Sequence, residues 1–199
     1  MRARIAVLAS GRGSNLHAIL DYLDAQSGRA AYEVAAVISN NSGAPALDLA
    51  RARGIPAFAI DPSTDREGAE LLGLLDRNKI DLVALAGYLK KIPREVVGAF
   101  EGRMLNVHPA LLPAHGGAGM YGIRVHEAVI SAGDSETGVT VHIVDTDYDR
   151  GPVVAQWRVP VLPGDDAKSL AERVLSVEHT LYPRAIEIVA ALYHMRSDS

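Results

Sequence analysis

The sequence contains no cysteine. That excludes disulfides and thiolate metal sites and fits a reducing compartment. It has no basic excess either: 20 Lys and Arg stand against 24 Asp and Glu, a net charge of −4. A nucleic-acid footprint of clustered positive charge is therefore missing, and no nucleic-acid partner is expected. No hydrophobic run approaches the roughly 18–20 residues of a membrane span, so no membrane partner is expected. The N-terminal MRARIAVLAS is basic and then apolar, but it runs into GRGSN instead of a small-residue cleavage site, so it reads as a first strand and not as a signal peptide. Internal repeats, low-complexity tracts and linkers are absent. A cytoplasmic protein with one domain over residues 1–199 is the expectation. A chain of this length buries roughly 70% of its unfolded surface and needs no staples to fold.

What is present is an alternation of apolar strands and helical patterns. ARIAVLAS (3–10), YEVAAVIS (32–39), PAFAID (56–61), DLVALAG (81–87) and RMLNVH (103–108) read as strands. Helices are expected from about Asn15 to Ala25, over 45–54, over 66–79 with Leu71, Leu72, Leu74 and Leu75 on the buried side, and after Pro93. Continuous apolar strands between helices predict an α/β fold, a Rossmann-like, mostly parallel sheet covered on both faces. After residue 108 the rhythm changes. TGVTVHIV (137–144) alternates with period two, and VVAQWRVPV (153–161) follows too soon for a parallel crossover, so the two are expected to pair antiparallel. A long helix from about Asp166 to Tyr193 closes the chain, with Pro183 expected to kink or interrupt it.

Between the first strand and first helix lies GRGSN (11–15). Gly11 and Gly13 let backbone approach a ligand, while Ser14, Asn15 and the helix N-terminus offer donors to an anion. The dinucleotide fingerprint fails, because Leu16 stands where its third glycine belongs and Ser39-Asn40-Asn41 replaces a ribose-binding acid. No Gly-Lys-Ser/Thr of a Walker loop follows. A small phosphorylated ligand is favoured over NAD or ATP, with an ordinary tight turn as the alternative.

In a doubly wound sheet, ligands bind beyond the carboxyl ends of the strands. Asn106 and His108 lie at such an end and, two apart, share a face. A carboxamide donor beside an imidazole suits a developing oxyanion; a capped strand end is the plainer reading. Thr140 and His142 add to the first, because alternation places Val139, Val141 and Ile143 in the core and these two on the other face. DTDYDRGPVV (145–154) then sets Asp145, Asp147 and Asp149 in a turn. Such a turn is ordinarily solvated, and the spacing excludes an EF-hand. An aspartate beside a histidine would raise the imidazole pKa and keep it charged near neutrality. Seven histidines invite a metal, but there is no HExxH, and positions 108, 115, 126 and 142 match no ligand pattern, so no metal is expected. Glu178 lies at the border of a stripe formed by Leu170, Val174, Val177 and Leu181. It is either a rim carboxylate or, if turned into the cleft, a partner for an amine or sugar hydroxyls.

Taken in order, SGRGSN, AGYLKKI, LNVHPALLP, TGVTVHIVD, DRGPVV and VLSVEHTLYP resemble the glycinamide ribonucleotide formyltransferase family over nearly the whole chain. The resemblance implies transfer of a formyl group from 10-formyltetrahydrofolate, as co-substrate, to the glycine amine of phosphoribosylglycinamide in purine synthesis. By position, it implies that Asn106 and His108 stabilise the oxyanion of a tetrahedral intermediate. It makes Asp149 the aspartate that raises the histidine pKa and helps move the amine's proton. Gly13, Ser14 and Asn15, continued into Leu16 and His17, match the substrate-phosphate site, and Glu178 the carboxylate that contacts the other end of that substrate. Arg66, Leu89, Lys90, Lys91, Ile92 and Asn106, with the backbone around 145–149, match the folate site, with Thr140 and His142 supporting. Two departures stand out: AHGGAGMYGIRVHEA is an expanded, glycine-rich loop, read as a flexible flap over the site, and Lys90 replaces a common arginine, which weakens any bidentate carboxylate contact there. The rival is a formyltetrahydrofolate deformylase, which shares the Asn, His and Asp but is expected to carry a further N-terminal domain and no phosphate loop. A methionyl-tRNA formyltransferase would add a C-terminal RNA-binding domain and a basic surface. A non-catalytic folate or nucleotide sensor would not need an oxyanion site. The assembly state is left open, a homodimer included.

Overall fold

The computed structural model describes residues 2–197. Thirteen elements follow in chain order: β1 Ala3–Leu8, α1 Ser14–Ala25, β2 Tyr32–Ser39, α2 Pro45–Ala52, β3 Ala57–Ala59, α3 Ala69–Arg77, β4 Leu82–Leu85, α4 Arg94–Ala99, β5 Met104–His108, α5 Ile123–Ala132, β6 Glu136–Ile143, β7 Val153–Pro160 and α6 Ala167–Ser197. The strands form one seven-stranded sheet in the order β3-β2-β1-β4-β5-β6-β7. The first five run parallel, and β6 and β7 pair antiparallel as the short connection requires. Continuous apolar strands are explained by cover on both faces. Ile5 and Val7 of β1 pack with Leu16, Ile19, Val174 and Tyr182. Ala6 and Leu8, pointing the other way, pack with Leu71, Leu75, Val96 and Phe100. Of the four leucines expected inside α3, Leu72 is only half-buried.

Three expectations are corrected. The segment read as flexible loop beyond residue 122 is helix α5, bounded by Gly122 and Gly133 and burying Val125, His126 and Val129. Pro183 does not interrupt the last helix, which runs unbroken from Ala167 to Ser197. Proline removes the N–H that would bond the His179 carbonyl and crowds that carbonyl with its ring, yet packing of the stripe Leu170, Val174, Glu178, Tyr182 and Ile186 carries the helix through. Glu178 is thus in the middle of that stripe, one position in every four, and not at its border. The Tyr182 hydroxyl lies 2.9 Å from the Leu85 carbonyl and 3.1 Å from that of Leu105, which fastens α6 beneath the ends of β4 and β5.

Strand order reverses at β1, whose neighbours β2 and β4 continue the chain in opposite directions across the sheet. A crevice opens at such a point. Its floor is the end of β1 joined to the end of β4, where the Ser10 N–H donates to the Gly87 carbonyl at 3.1 Å.

Candidate active site

At this crevice a cavity of about 480 Å³ is lined by Arg12, Ser14 and Asn15 from the first turn, Asn106 and His108 from β5, Met120 and His126 from the loop and α5, Asp149, and Glu178. Gly13 enters α1 at φ 77°, and a Cβ there would lie 2.9 Å from that of Ala46. Only glycine satisfies both the turn and this approach. Leu16 and His17, expected at a phosphate site, contribute no side chain to the cavity. Leu16 is buried in the core, and His17 turns outward to Asp21 at 3.3 Å.

The reacting corner is built by β5 and β6. Antiparallel pairing places Asn106 opposite His142 and His108 opposite Thr140. His142 Nδ1 is 2.9 Å from the Ile143 carbonyl, which can only accept, so this nitrogen carries the proton. Nε2 is then an acceptor, and the Asn106 amide donates to it at 3.2 Å. The carboxamide is thereby held with its NH₂ toward the site. Asp149 lies between the two imidazoles, 3.6 Å from His108 Nδ1 and 3.5 Å from His142 Nε2. Both distances are beyond a good hydrogen bond, and a charge attraction operates at either one only when the ring is protonated. Its Oδ2 accepts the Gly117 N–H at 2.9 Å. The turn around it was expected to be solvated. Asp145 and Asp147 are exposed, but the Asp149 side chain is only 10% exposed.

The His108 pKa is a correction. Burial pushes it down and outweighs Asp149, which pushes it up, so the net direction is below an ordinary histidine. The sequence offered the neighbouring charge but not the desolvation. His108 Nε2 donates to the His115 carbonyl at 2.9 Å, so the 109–122 segment occupies the proton that an oxyanion would take. That segment is also tied elsewhere. Thr140 Oγ1 accepts from Leu112 N–H and donates to the Ala110 carbonyl, and His115 pairs with Asp134 at 2.6 Å. Thr140 supports the loop and does not face the cavity chemistry.

A family model described as formyl transferase matches residues 3–186. The chain belongs to the formyl transferase family. A phosphoribosylglycinamide formyltransferase of Arabidopsis thaliana, chloroplastic, is 41% identical over 98% of this chain and 67% of that protein. The crystal structure of glycinamide ribonucleotide transformylase 1 from Symbiobacterium toebii superposes with a TM-score of 0.87 at 39% identity, covering 96% of this chain and 88% of that one. A formyltetrahydrofolate deformylase from Pseudomonas syringae shares the fold, with a TM-score of 0.84 at 22% identity over 96% of this chain and 62% of that one.

In this formyl transferase the buried carboxylate beside the first turn in the cavity wall is Glu178. It is 8% exposed and accepts from Asn15 Nδ2 at 2.7 Å. Burial lifts its pKa to about 7, against the lowering effect of Asn15. The Asn15 amide oxygen is buried without a partner. On the other side of Asn106 a smaller cavity of about 80 Å³ is lined by Lys90, Lys91, Ile92, Val97, His142 and the 144–149 turn. Lys91 also lies over the Tyr148 ring at 5.4 Å. Arg66 borders a third hollow that continues past Lys91 and Ile92. Leu89, expected with this group, faces the larger cavity instead, and its N–H is fixed by Ser10 Oγ at 2.8 Å. Sequence reasoning missed Arg12, Tyr88, Met120 and His126 as cavity residues. Arg12 lay inside the quoted glycine turn, and His126 was legible only as a histidine one residue past Val125 on what proved to be a helix.

Proposed function

We propose that this formyl transferase carries the formyl group of 10-formyltetrahydrofolate to the glycine amine of 5′-phosphoribosylglycinamide, a step of purine (IMP) synthesis. The observation that supports this best is the convergence of two unlike cavities on one corner. Tyr88, Asn106, Tyr148 and Asp149 line both. One arm offers Arg12, Ser14 and the α1 N-terminus to a phosphate, and Glu178 to sugar hydroxyls. The other arm offers Ile92 and Val97 to a flat ring, with Lys90, Lys91 and Arg66 along the path of an acidic tail.

In this reading the amine nitrogen attacks the formyl carbon. The oxyanion that forms takes N–H bonds from Asn106 and His108, the latter released from the His115 carbonyl. The C–N bond to the folate then breaks, and the amine's proton reaches the folate nitrogen through water held by Asp149. Asn106, His108 and Asp149 are the residues assigned to the chemistry, with His142 holding Asn106. Among the described residues, no helix is long and apolar enough to cross a membrane. The lack of cysteine suits a cytoplasmic enzyme, and its assembly, a homodimer included, is read by sedimentation.

The test is release of tetrahydrofolate from 10-formyltetrahydrofolate with and without phosphoribosylglycinamide. Amine-dependent release is expected, with Asn106→Ala lowering kcat by about 10²–10³, the usual loss for an oxyanion donor. Amine-independent release makes the chain a deformylase, and none at all refutes catalysis on the folate.

A further inference from the structure

His126 stands apart from the residues used so far. It occupies the buried face of α5 between Val125 and Val129, a face that an apolar side chain would fill with less penalty. It is 4% exposed, and its Nδ1 is enclosed by protein without any hydrogen-bond partner. Leaving such an atom unpaired costs about 1–3 kcal/mol, so packing alone does not account for an imidazole here. The ring also forms part of the large cavity wall beside His108. Of its two nitrogens, Nδ1 is the one sealed in, which leaves Nε2 for the cavity.

The chemistry of that edge follows from the sealed one. A protonated ring would bury an N–H with no acceptor at Nδ1 and set a charge inside the protein beside another imidazole. Burial, and then His108, push the His126 pKa down to about 4, so the ring is neutral over the working range. A neutral ring has one proton, and an N–H sealed without an acceptor is less tolerated than a sealed lone pair, so that proton belongs on Nε2. His126 therefore presents a neutral donor to the cavity and calls for an oxygen acceptor.

The inference rests on the proposed substrate. Its phosphate is met by Arg12 and Ser14, its hydroxyls by Glu178, and its amine faces Asn106 and Asp149. The remaining acceptor near the reacting end is the carbonyl of the glycinamide arm. We propose that His126 donates Nε2–H to that carbonyl oxygen and so sets the direction of the attacking amine. It is a positioning residue that recognises the amide, and it discriminates against amines lacking one.

The test compares wild type, His126→Leu and His126→Gln, since the glutamine Nε2 reaches about as far as the histidine Nε2. His126→Leu should raise the KM for phosphoribosylglycinamide about 3- to 10-fold, the range for a neutral hydrogen bond, and leave the KM for 10-formyltetrahydrofolate unchanged. Glutamine should recover most of the loss. A substrate analogue with CH₂ in place of the carbonyl should bind wild type and His126→Leu alike. If Leu does not fold, ¹⁵N NMR of the wild-type ring decides: adding phosphoribosylglycinamide should shift the His126 Nε2–H signal. Equal damage by Leu and Gln, a parallel rise in both KM values, or an unmoved ring signal overturns the role. Wild type that shows no amine-dependent turnover removes the functional reading beneath it, a separate and distinguishable failure.

Discussion

Replacing Asp149 with asparagine removes one charge and almost nothing else. The residue adopts φ 55°, a conformation that asparagine tolerates, and an amide oxygen can still accept the Gly117 N–H. What disappears is a carboxylate 3.6 Å from His108 Nδ1 and 3.5 Å from His142 Nε2. At the first distance and an effective dielectric of about 20, its attraction to an imidazolium is about 4–5 kcal/mol. In the native site this attraction opposes burial, which already holds the His108 pKa below normal. Without it the pKa must fall further. The proton relay loses its acceptor at the same stroke, so kcat should drop by about 10²-fold or more. NMR titration of the His108 ring in both proteins, beside the pH–rate profile, measures the two effects separately. An unchanged His108 titration, or a kcat within threefold of wild type, refutes the assignment and leaves Asp149 as the loop anchor for Gly117.

Three further outcomes are expected. Glu178→Gln should lower kcat/KM for the amine yet stabilise the ligand-free protein above pH 7. The native carboxyl, raised from about 4.5 to about 7, contributes fully below its unfolded pKa and loses that contribution as pH rises through 7. That loss is about 3 kcal/mol, so denaturation curves of the two proteins should agree near pH 4 and diverge by pH 8. Gly13→Ala meets φ 77° and the Ala46 Cβ at 2.9 Å, so it should cost about 2–4 kcal/mol in denaturant unfolding as well as weaken the phosphorylated substrate. Thr140→Val strands the Leu112 N–H, which donates to the buried hydroxyl at 3.0 Å, and the Ala110 carbonyl, which accepts from it, while Gln156 keeps its bond to the Leu112 carbonyl. About 2–4 kcal/mol of stability should go, with faster hydrogen exchange at Leu112.

Much of this molecule was legible before its coordinates. The bounds of β2 coincide with the run 32–39, because an apolar strand between glycine- and asparagine-rich turns has no competing period. Asn106, His108 and Asp149 were legible as residue types; the first two share β5, and Asp149 reaches them from the turn between β6 and β7. What escaped depends on enclosure. Helix α5 hid behind four glycines of its preceding loop, although Val125 and Val129 are spaced for one buried face. Glu178 was assigned to a border because a carboxylate in a helix stripe is ordinarily solvated. The His108 pKa was assigned from its neighbour's charge, whereas its sign is set by how much water the folded chain removes, a quantity no local spacing records.

The Tyr182 hydroxyl that bridges the Leu85 and Leu105 carbonyls bears on how substrate can enter. Tyr182 lies one helical turn after Glu178, and Leu105 immediately precedes Asn106. The wall that carries Glu178 and the corner that carries Asn106 are consequently joined through a fully enclosed phenol. Parting them would expose that hydroxyl's two acceptors in the core. On the proposed function, the tie fixes the distance over which the glycine arm must stretch, as a gauge fixes a gap. On that function, admission and release fall to the opposite side, where the His115 carbonyl bonds His108 and the Gly117 N–H bonds Asp149.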